Sequence, residues 1–318
     1  MSEMFPPVRV DPSVDDVLRD ELAHSDAAIG AIAPVLRHLL ANDDRSLFND
    51  EIVARVRGML DHLACQLLDA VDEAQSPAAA HDHDPETIQH VVSAMVEHPA
   101  LLAHVHALAL EFQLTERLHR RLSIDPVLSP LLQALIASPD SATAACAMAL
   151  LAAQTRFIQA QRRMHLPLGE LPADLFYAVL QCLHRVAADP AVLAAAEQAL
   201  RKGHDEARSR LGLLARLVMG MGGGASAALS ISHAGVGLFI TAAAVGASQD
   251  RDLTALMAHE DQVARLALTL RAAGLRPEAI EEQFLAIHPD VCLPAGFDGL
   301  GADRAAAILA RSSAGAGR

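Results

Sequence analysis

The sequence predicts an all-α protein, a multi-helix globular array with central apolar helices. Apolar residues recur at helical spacing along the 318-residue chain, and no stretch shows the sustained two-residue alternation of a strand. Proline also follows an Asp, Ser or His at five positions, and such pairs mark helix starts because proline loses no hydrogen bond in the first turn. These pairs are Asp84-Pro85, His98-Pro99, Asp125-Pro126, Ser138-Pro139 and Asp189-Pro190.

These signals divide the chain into a series of helices joined by short connections. Periodicity defines the body of each helix, and the proline pairs, glycines and polar clusters define its ends. We expect helices near residues 13–22, 26–41, 49–74, 85–97, 99–122, 126–137, 140–164, 173–188, 190–218, 226–247, 252–273, 277–287 and 302–311.

Two segments are apolar on every side. Residues 219–246 contain no Asp, Glu, Lys or Arg over 28 positions, and residues 141–154 share this property. A helix that is apolar all the way round is surrounded on all sides. We therefore expect both segments to be central helices, covered either by their own chain or by a partner subunit.

The uncharged segment 219–246 also permits two other interpretations. Gly220, Gly222 and Ala225 fit the pattern G-x-G-x-x-A, but a dinucleotide site needs a strand before it and an acid about 20 residues later. A helical pattern precedes this segment and the next acid is Asp250, so we expect no bound cofactor. Residues 225–247 are long enough to anchor the protein in a membrane, which stays open as an alternative.

The favoured interpretation of this segment is close packing. Gly220 and Gly224 are one helical turn apart and would permit close backbone approach if that turn is helical. Leu229, Val236 and Ile240 recur near one face of the following helix. These five residues are the candidates for packing or self-association.

Two features resemble known families. The proline spacing is 41 residues from Pro85 to Pro126 and 40 from Pro99 to Pro139, which resembles the period of HEAT-like helical pairs over two units. The block "LALTLRAAGLRPEAIEEQFLAIHP" and the residues after it resemble the C-terminal region of all-helical bacterial proteins of unknown function. The second resemblance covers about a quarter of the chain and implies no catalytic residues.

Composition suggests how the chain is organised. Of the net charge of −14, most belongs to the first 98 residues, which contain 19 acidic side chains and six arginines. A loop rich in alanine and histidine then breaks the helical period. We expect an acidic N-terminal region at 1–76, a linker at 77–84, a central region at 85–202, a C-terminal region at 203–311 and a disordered tail at 312–318.

Charge and residue usage restrict the partners. An acidic surface repels phosphate backbones and attracts basic proteins, and a chain with no Trp and one Tyr lacks stacking platforms for bases. We expect no nucleic acid and a protein partner that could carry a basic surface. The four cysteines form no ligand spacing and the N-terminus lacks a signal pattern, so we expect a cytoplasmic protein.

Catalytic motifs are missing from the sequence. No G-x-S-x-G, P-loop or H-E-x-x-H pattern occurs, and the cluster "HDHDP" gives only His81 and His83 as weak metal candidates. We therefore expect a non-enzymatic regulatory or scaffold protein that acts through protein–protein interaction. We also expect it to form a homodimer. The alternatives are a small-ligand sensor or unrecognised all-α enzyme with a pocket between helices, and a membrane-associated protein.

Overall fold

The residues that the structure describes form helices joined by turns and loops. The computed structural model describes residues 13–41, 51–76, 83–185 and 189–315, and no strand occurs in those ranges. The α-helices are α1 Val14–Ala41, α2 Glu51–Gln75, α3 Pro85–Val96, α4 Pro99–Leu122, α5 Pro130–Ile136, α6 Ser141–Arg162, α7 Ala173–Gln181, α8 Pro190–Gly203, α9 Arg210–Gly220, α10 Ile231–Ala247, α11 Arg251–Ala255, α12 Val263–Ala272, α13 Pro277–Ile287 and α14 Ala302–Gly315. The predicted all-α array is confirmed.

Helix α10 lies at the centre of the C-terminal half. Of its 17 residues, 13 are buried, and it packs against α4, α5, α9, α11, α12 and α13. An uncharged helix without a polar stripe can be surrounded in this way at no cost in buried charge. The helix is kinked at Gly235, whose φ of 73° and ψ of 165° are strained for any residue with a Cβ.

Two hydrophobic clusters form the core, and α4 contributes to both. One cluster surrounds α10 and α12 and includes Leu114 and Leu118 of α4. The other surrounds α2, which packs against α3, α4 and α8, and includes Leu101 and Val105 of α4. Because side chains on different faces of α4 enter the two clusters, this helix joins the halves of the fold.

Three of the five proline pairs open a helix and two do not. Pro85, Pro99 and Pro190 each open a helix as expected. The predicted start at Pro126 is wrong, because Asp125 accepts hydrogen bonds from the N–H groups of Val127 and Leu128 and forms a turn. The helix begins instead at Pro130, where Ser129 accepts from the N–H of Leu132. At Ser138-Pro139 the proline lies before the helix, which begins at Ser141 with Asp140 as its N-cap.

Helix α1 is continuous, although the sequence predicts a break between residues 22 and 26. The expected break includes Ser25 and ends before Asp26, and both residues lie within the helix. The Ser25 hydroxyl donates to the carbonyl of Asp261, and the carboxylate of Asp26 accepts from Arg265. These tertiary contacts take the place of the local capping that Ser and Asp side chains otherwise favour.

Three long predicted helices are interrupted. The one at 190–218 ends at Gly203, and a 3₁₀ turn at Glu206–Arg208 leads into α9. Gly212 permits this return, because a Cβ there would lie 2.3 Å from the carbonyl oxygen of Glu206. The helix predicted at 226–247 starts at Ile231 after the 3₁₀ segment Gly222–Leu229, whose glycines are poor helix formers. The helix predicted at 252–273 is divided into α11, two 3₁₀ turns and α12.

The HEAT-like period is not confirmed as helical pairing. Helices α3 and α4 meet at a bend of 101°, whereas paired repeat helices fold back nearly antiparallel. Most of the expected linker, residues 77–82, lies outside the described residues. In the expected tail at 312–318, α14 continues to Gly315, and residues 316–318 are again outside the described part.

Helix α6 differs most from its expectation. The sequence predicts that it is covered on all sides, but only 33% of its most apolar 18-residue window is buried. Its inner face carries Ala147, Leu150 and Ala153 into the core, while its outer face is exposed. Apolar character therefore did not predict burial at this helix as it did at α10.

Candidate functional site

A buried cluster of charged side chains lies between α4, α9 and α11, and we call it the ion cluster. Its centre is Glu111, 1% exposed, whose two carboxylate oxygens accept from Nη1 and Nη2 of Arg210 at 2.7 and 2.9 Å. Nη2 of Arg251 donates to the same carboxylate at 2.9 Å. The bidentate geometry with Arg210 is the strongest form of this ion pair.

Neighbouring residues hold Arg210 in place. Its guanidinium carbon lies 3.7 Å from the centre of the Phe157 ring, and Nη1 also donates to Oε1 of Gln154 at 3.2 Å. Gly237 of α10 faces the pair, since a Cβ there would be 3.2 Å from Nη1 of Arg210 and 3.4 Å from Oε1 of Glu111. The missing side chain at Gly237 thus leaves the space that the ion pair occupies.

A second polar pair continues the cluster. Asp252 follows Arg251 in α11 and lies 2.7 Å from Nδ1 of His104, a fully buried residue of α4. Burial alone would raise the pKa of Asp252, but the hydrogen bond and charge of His104 and the charge of Arg251 lower it overall. Two acids and two arginines therefore balance in charge inside the protein.

The chemistry of the ion cluster is structural. Burial alone would raise the pKa of Glu111, but the charges and hydrogen bonds of Arg210 and Arg251 outweigh it and hold this pKa at about 2. A carboxylate with that pKa stays ionised at neutral pH and accepts no proton from a substrate. Its role is to fix α4, α9 and α11 relative to each other.

A cavity of about 220 Å³ lies beside the ion cluster, and we call it the α6 pocket. Arg210 belongs to both, because its guanidinium pairs with Glu111 while its side chain lines the cavity. The other lining residues come from α4, α6, α9 and the connection after α6. They are Leu108, Arg156, Phe157, Ala160, Gln161, His165, Leu166, Pro167, Gly169, Glu170 and Leu211.

An exposed apolar surface lies at the other end of α6. It consists of the outer face of α6, formed by Ala145, Met148, Ala149 and Ala152, and of residues 219–227. Met148 is 52% exposed and Met219 is 65% exposed. A groove of about 250 Å³ lies beside them, lined by Ala142, Thr143 and Cys146 of α6 and by Gly220 and Met221, and Arg216 is the charged residue among its lining side chains. We refer to this region as the apolar surface.

The structure separates the five candidate packing residues. Leu229, Val236 and Ile240 are buried around α10. Gly220 and Gly224 are exposed on the apolar surface, and a Cβ at either would meet no described atom within 4 Å. The two glycines do not share one α-helix, because α9 ends at Gly220. The close backbone approach expected from their spacing is therefore absent within the described chain.

Of the two metal candidates, His83 is described by the structure and lies beside α2. His83 Nε2 is 2.8 Å from a carboxylate oxygen of Asp69, and Nδ1 is 3.6 Å from Asp72. His81 lies outside the described residues. Among the residues that are described, no group of three or more His, Cys, Asp or Glu side chains is arranged to hold a metal ion.

By length and composition, α6 is the one described helix that could cross a membrane by itself, and two bent helix pairs meet the same criterion jointly. The segment 225–247, the alternative anchor in the sequence, forms no single helix. Part of it belongs to the 3₁₀ segment Gly222–Leu229, and the rest is the largely buried α10. The surface therefore does not present this segment as one apolar helix.

No protein-family model matches the chain, and no curated protein or solved structure is significantly similar to it. Fold and site define an all-α protein with a buried ion cluster, a small pocket beside it and an exposed apolar surface.

Sequence reasoning missed the ion cluster. One signal was present, since Glu111 stands alone in the apolar run "HALALEFQL" of α4. A single acid within such a run indicates a buried charge that needs a partner. The partners themselves gave no signal, because Arg210 and Arg251 are 99 and 140 residues away.

Proposed function

We propose that the protein is a non-enzymatic helical scaffold or regulatory protein that works by protein–protein contact, and that its first partner is a second copy of itself. The observation that carries the proposal is the apolar surface. The N-terminal half of α6 is uncharged and exposes Met148 and three alanines. Contiguous exposed apolar patches of this kind mark interaction sites.

Charge favours a second copy as the occupant. In a two-fold symmetric contact each surface meets itself, so a charged patch would face its own charge. The chain has a net charge of −14, and its acidic residues are concentrated in the first 98 positions. The outer face of α6 carries no charge from Ala145 to Ala152, so two copies can meet there without like-charge repulsion.

The small residues of this face support close contact. Ala145, Ala149 and Ala152 let a partner helix approach closely, and the two methionines at 148 and 219 are flexible side chains that adapt to a facing surface. The groove between α6 and α9 offers a recess for those side chains. The contact that we propose therefore buries the exposed apolar face of α6.

The mass in solution tests this proposal. We expect the purified chain to be a dimer at micromolar concentration by light scattering coupled to size exclusion, and Met148→Glu and Ala149→Glu to be monomers with unchanged helical circular dichroism. Leu285→Glu is the matched control, because Leu285 is an equally apolar residue that is 67% exposed on α13, outside the apolar surface.

Three results would overturn the proposal. The first is a monomeric wild-type protein, and the second is α6 variants that dimerise as well as the control. The third is co-sedimentation of the wild type with phosphatidylcholine vesicles that Met148→Glu abolishes, since this would assign the apolar surface to a membrane.

A further inference from the structure

We propose that the α6 pocket binds a small monocarboxylic acid with an apolar body and a hydrogen-bond donor at the end opposite its carboxylate. This inference is independent of self-association, because the pocket is formed by the C-terminal half of α6 and the apolar surface by the N-terminal half. It rests on three features that follow one another along this half of α6: a cationic side chain, apolar walls, and a buried hydrogen-bond acceptor.

The cation is Arg156, at the exposed rim of the pocket. In the described part of the chain no carboxylate forms an ion pair with Arg156, and its guanidinium has no hydrogen-bond partner there. It therefore differs from Arg210, whose guanidinium is bound to Glu111 and Gln154. A guanidinium with free N–H groups matches the geometry of a carboxylate, to which it can donate two parallel hydrogen bonds.

The walls of the pocket are apolar. Leu108 of α4, Phe157 of α6, Leu211 of α9 and Leu166 of the following loop converge on the cavity. Arg210 adds no unpaired charge to the interior of the pocket, because Glu111 neutralises it. Predominantly apolar walls with a few placed polar groups are the usual composition of a small-molecule site.

The buried acceptor is Gln161. Its side chain is fully buried and lines the pocket, and Nε2 donates to Sδ of Met59 at 3.1 Å and to the carbonyl of His165 at 3.4 Å. No donor among the described residues reaches its Oε1. A buried acceptor without a donor is costly. Oε1 is closed to solvent in this structure, so a ligand O–H or N–H gains this hydrogen bond when the Gln161 side chain turns its Oε1 toward the cavity.

The spacing of these groups sets the size of the ligand. Arg156 and Gln161 are five residues apart on α6, which is a separation of about 7.5 Å along the helix axis. Phe157 and Ala160 lie between them on the same side and line the cavity. A ligand that contacts both ends is thus about as long as one aromatic ring with a short acid chain, and the volume of about 220 Å³ is consistent with a molecule of that size.

Two other titratable groups line the pocket and restrict its ligand. The carboxylate of Glu170 accepts from the main-chain N–H of Arg210 at 2.7 Å, and its negative charge disfavours a second carboxylate on the ligand. The ring of His165 stacks on that of His62 with centroids 4.1 Å apart. Together with Arg156, these groups favour a monoanion over a dianion.

Calorimetric titration of the full chain with three probes tests the proposal. We expect para-hydroxyphenylpropionate to bind, phenylpropionate, which lacks the donor, to bind several-fold more weakly, and tyramine, which carries an amine in place of the acid, to show no saturable binding. Arg156→Ala should weaken both acids at least tenfold. Gln161→Leu should bind both acids equally, which a general loss of structure would not produce.

Arg162→Ala is the control, because Arg162 is an exposed arginine of the same helix that does not line the pocket. The proposal is overturned if the wild type shows no saturable binding of either acid at millimolar concentration, if tyramine binds as well as the acids, or if Arg156→Ala binds both acids as the wild type does.

Discussion

Replacing Glu111 by Gln should destabilise the protein more than any surface substitution. The change keeps the size of the side chain but removes the charge and one of the two acceptor oxygens, and it turns an N–H₂ group toward two arginines. Arg210 is 1% exposed, so its guanidinium would remain buried without a counter-charge. Removal of one partner from a buried ion pair costs about 3–5 kcal/mol.

The pKa of Glu111 gives a second route to this magnitude. The fold lowers this pKa from 4.5 to about 2, and each unit corresponds to about 1.4 kcal/mol, so the ionised carboxylate contributes about 3 kcal/mol to folding. The two routes agree. Urea unfolding at pH 7 should therefore show a lower midpoint for Glu111→Gln with an unchanged m value.

The same experiment has a pH signature. Because the folded pKa of Glu111 lies below its unfolded value, the contribution is complete above pH 4.5 and is lost as the pH falls toward 2. Glutamine does not titrate, so the difference in unfolding free energy between the wild type and the variant should narrow over this interval.

Glu97→Gln is the matched control for Glu111→Gln. Glu97 also pairs with an arginine at 2.8 Å, Arg185, but both side chains are about half exposed, and such pairs contribute about 1 kcal/mol or less. If the two variants unfold at the same urea concentration, the ion cluster does not hold the fold together as we argue.

Three further outcomes follow from the structure. Gly235→Ala should lower the free energy of unfolding by about 1–3 kcal/mol, because the φ of Gly235 is positive. The control Gly220→Ala adds a Cβ in open space at the end of α9 and should change it by less than about 0.5 kcal/mol. Equal melting temperatures for the two variants would contradict the kink. Ala243→Leu should cost about 1–3 kcal/mol by overpacking the fully buried side of α10, and unchanged thermal unfolding would disprove that packing. In the native protein Ellman's reagent should label exposed Cys292 first and Cys182 only on unfolding, since burial raises the pKa of Cys182 to about 11; a Cys292→Ser variant that keeps the fast phase would refute this assignment.

The sequence predicted the helical class and the burial of α10, because both depend on local pattern. Periodicity and proline position are properties of neighbouring residues, so they predict the helical class. The uncharged run of α10 is long enough to cross the core, so it predicts that this helix is buried. The same rule did not predict how little of α6 its own chain buries. Its alanines and serine are small enough to remain at the surface, so apolar composition on all sides permits burial there but does not require it.

The breaks within predicted helices were beyond the sequence for a different reason. The chain can turn back at Gly212 because glycine has no Cβ, which would clash there with the carbonyl of Glu206. Helix α1 continues through Ser25 because the Ser25 hydroxyl donates to the carbonyl of Asp261. Such contacts are decided by tertiary structure, and no local propensity reports them. The ion cluster is of the same kind, since Glu111 is 99 and 140 residues away from the two arginines that bind it.

Helix α11 has only five residues, too few to be stable by itself, and two consecutive side chains attach it to α4: Arg251 to Glu111 and Asp252 to His104. Its helical structure therefore exists only when it is docked, and it can form only after α4 has taken its place. The backbone amides of α11 should accordingly exchange with deuterium through the same global opening as those of α4, although a free peptide of this length would exchange at once. The shortest α-helix in the described chain would thus report the stability of its attachment to α4.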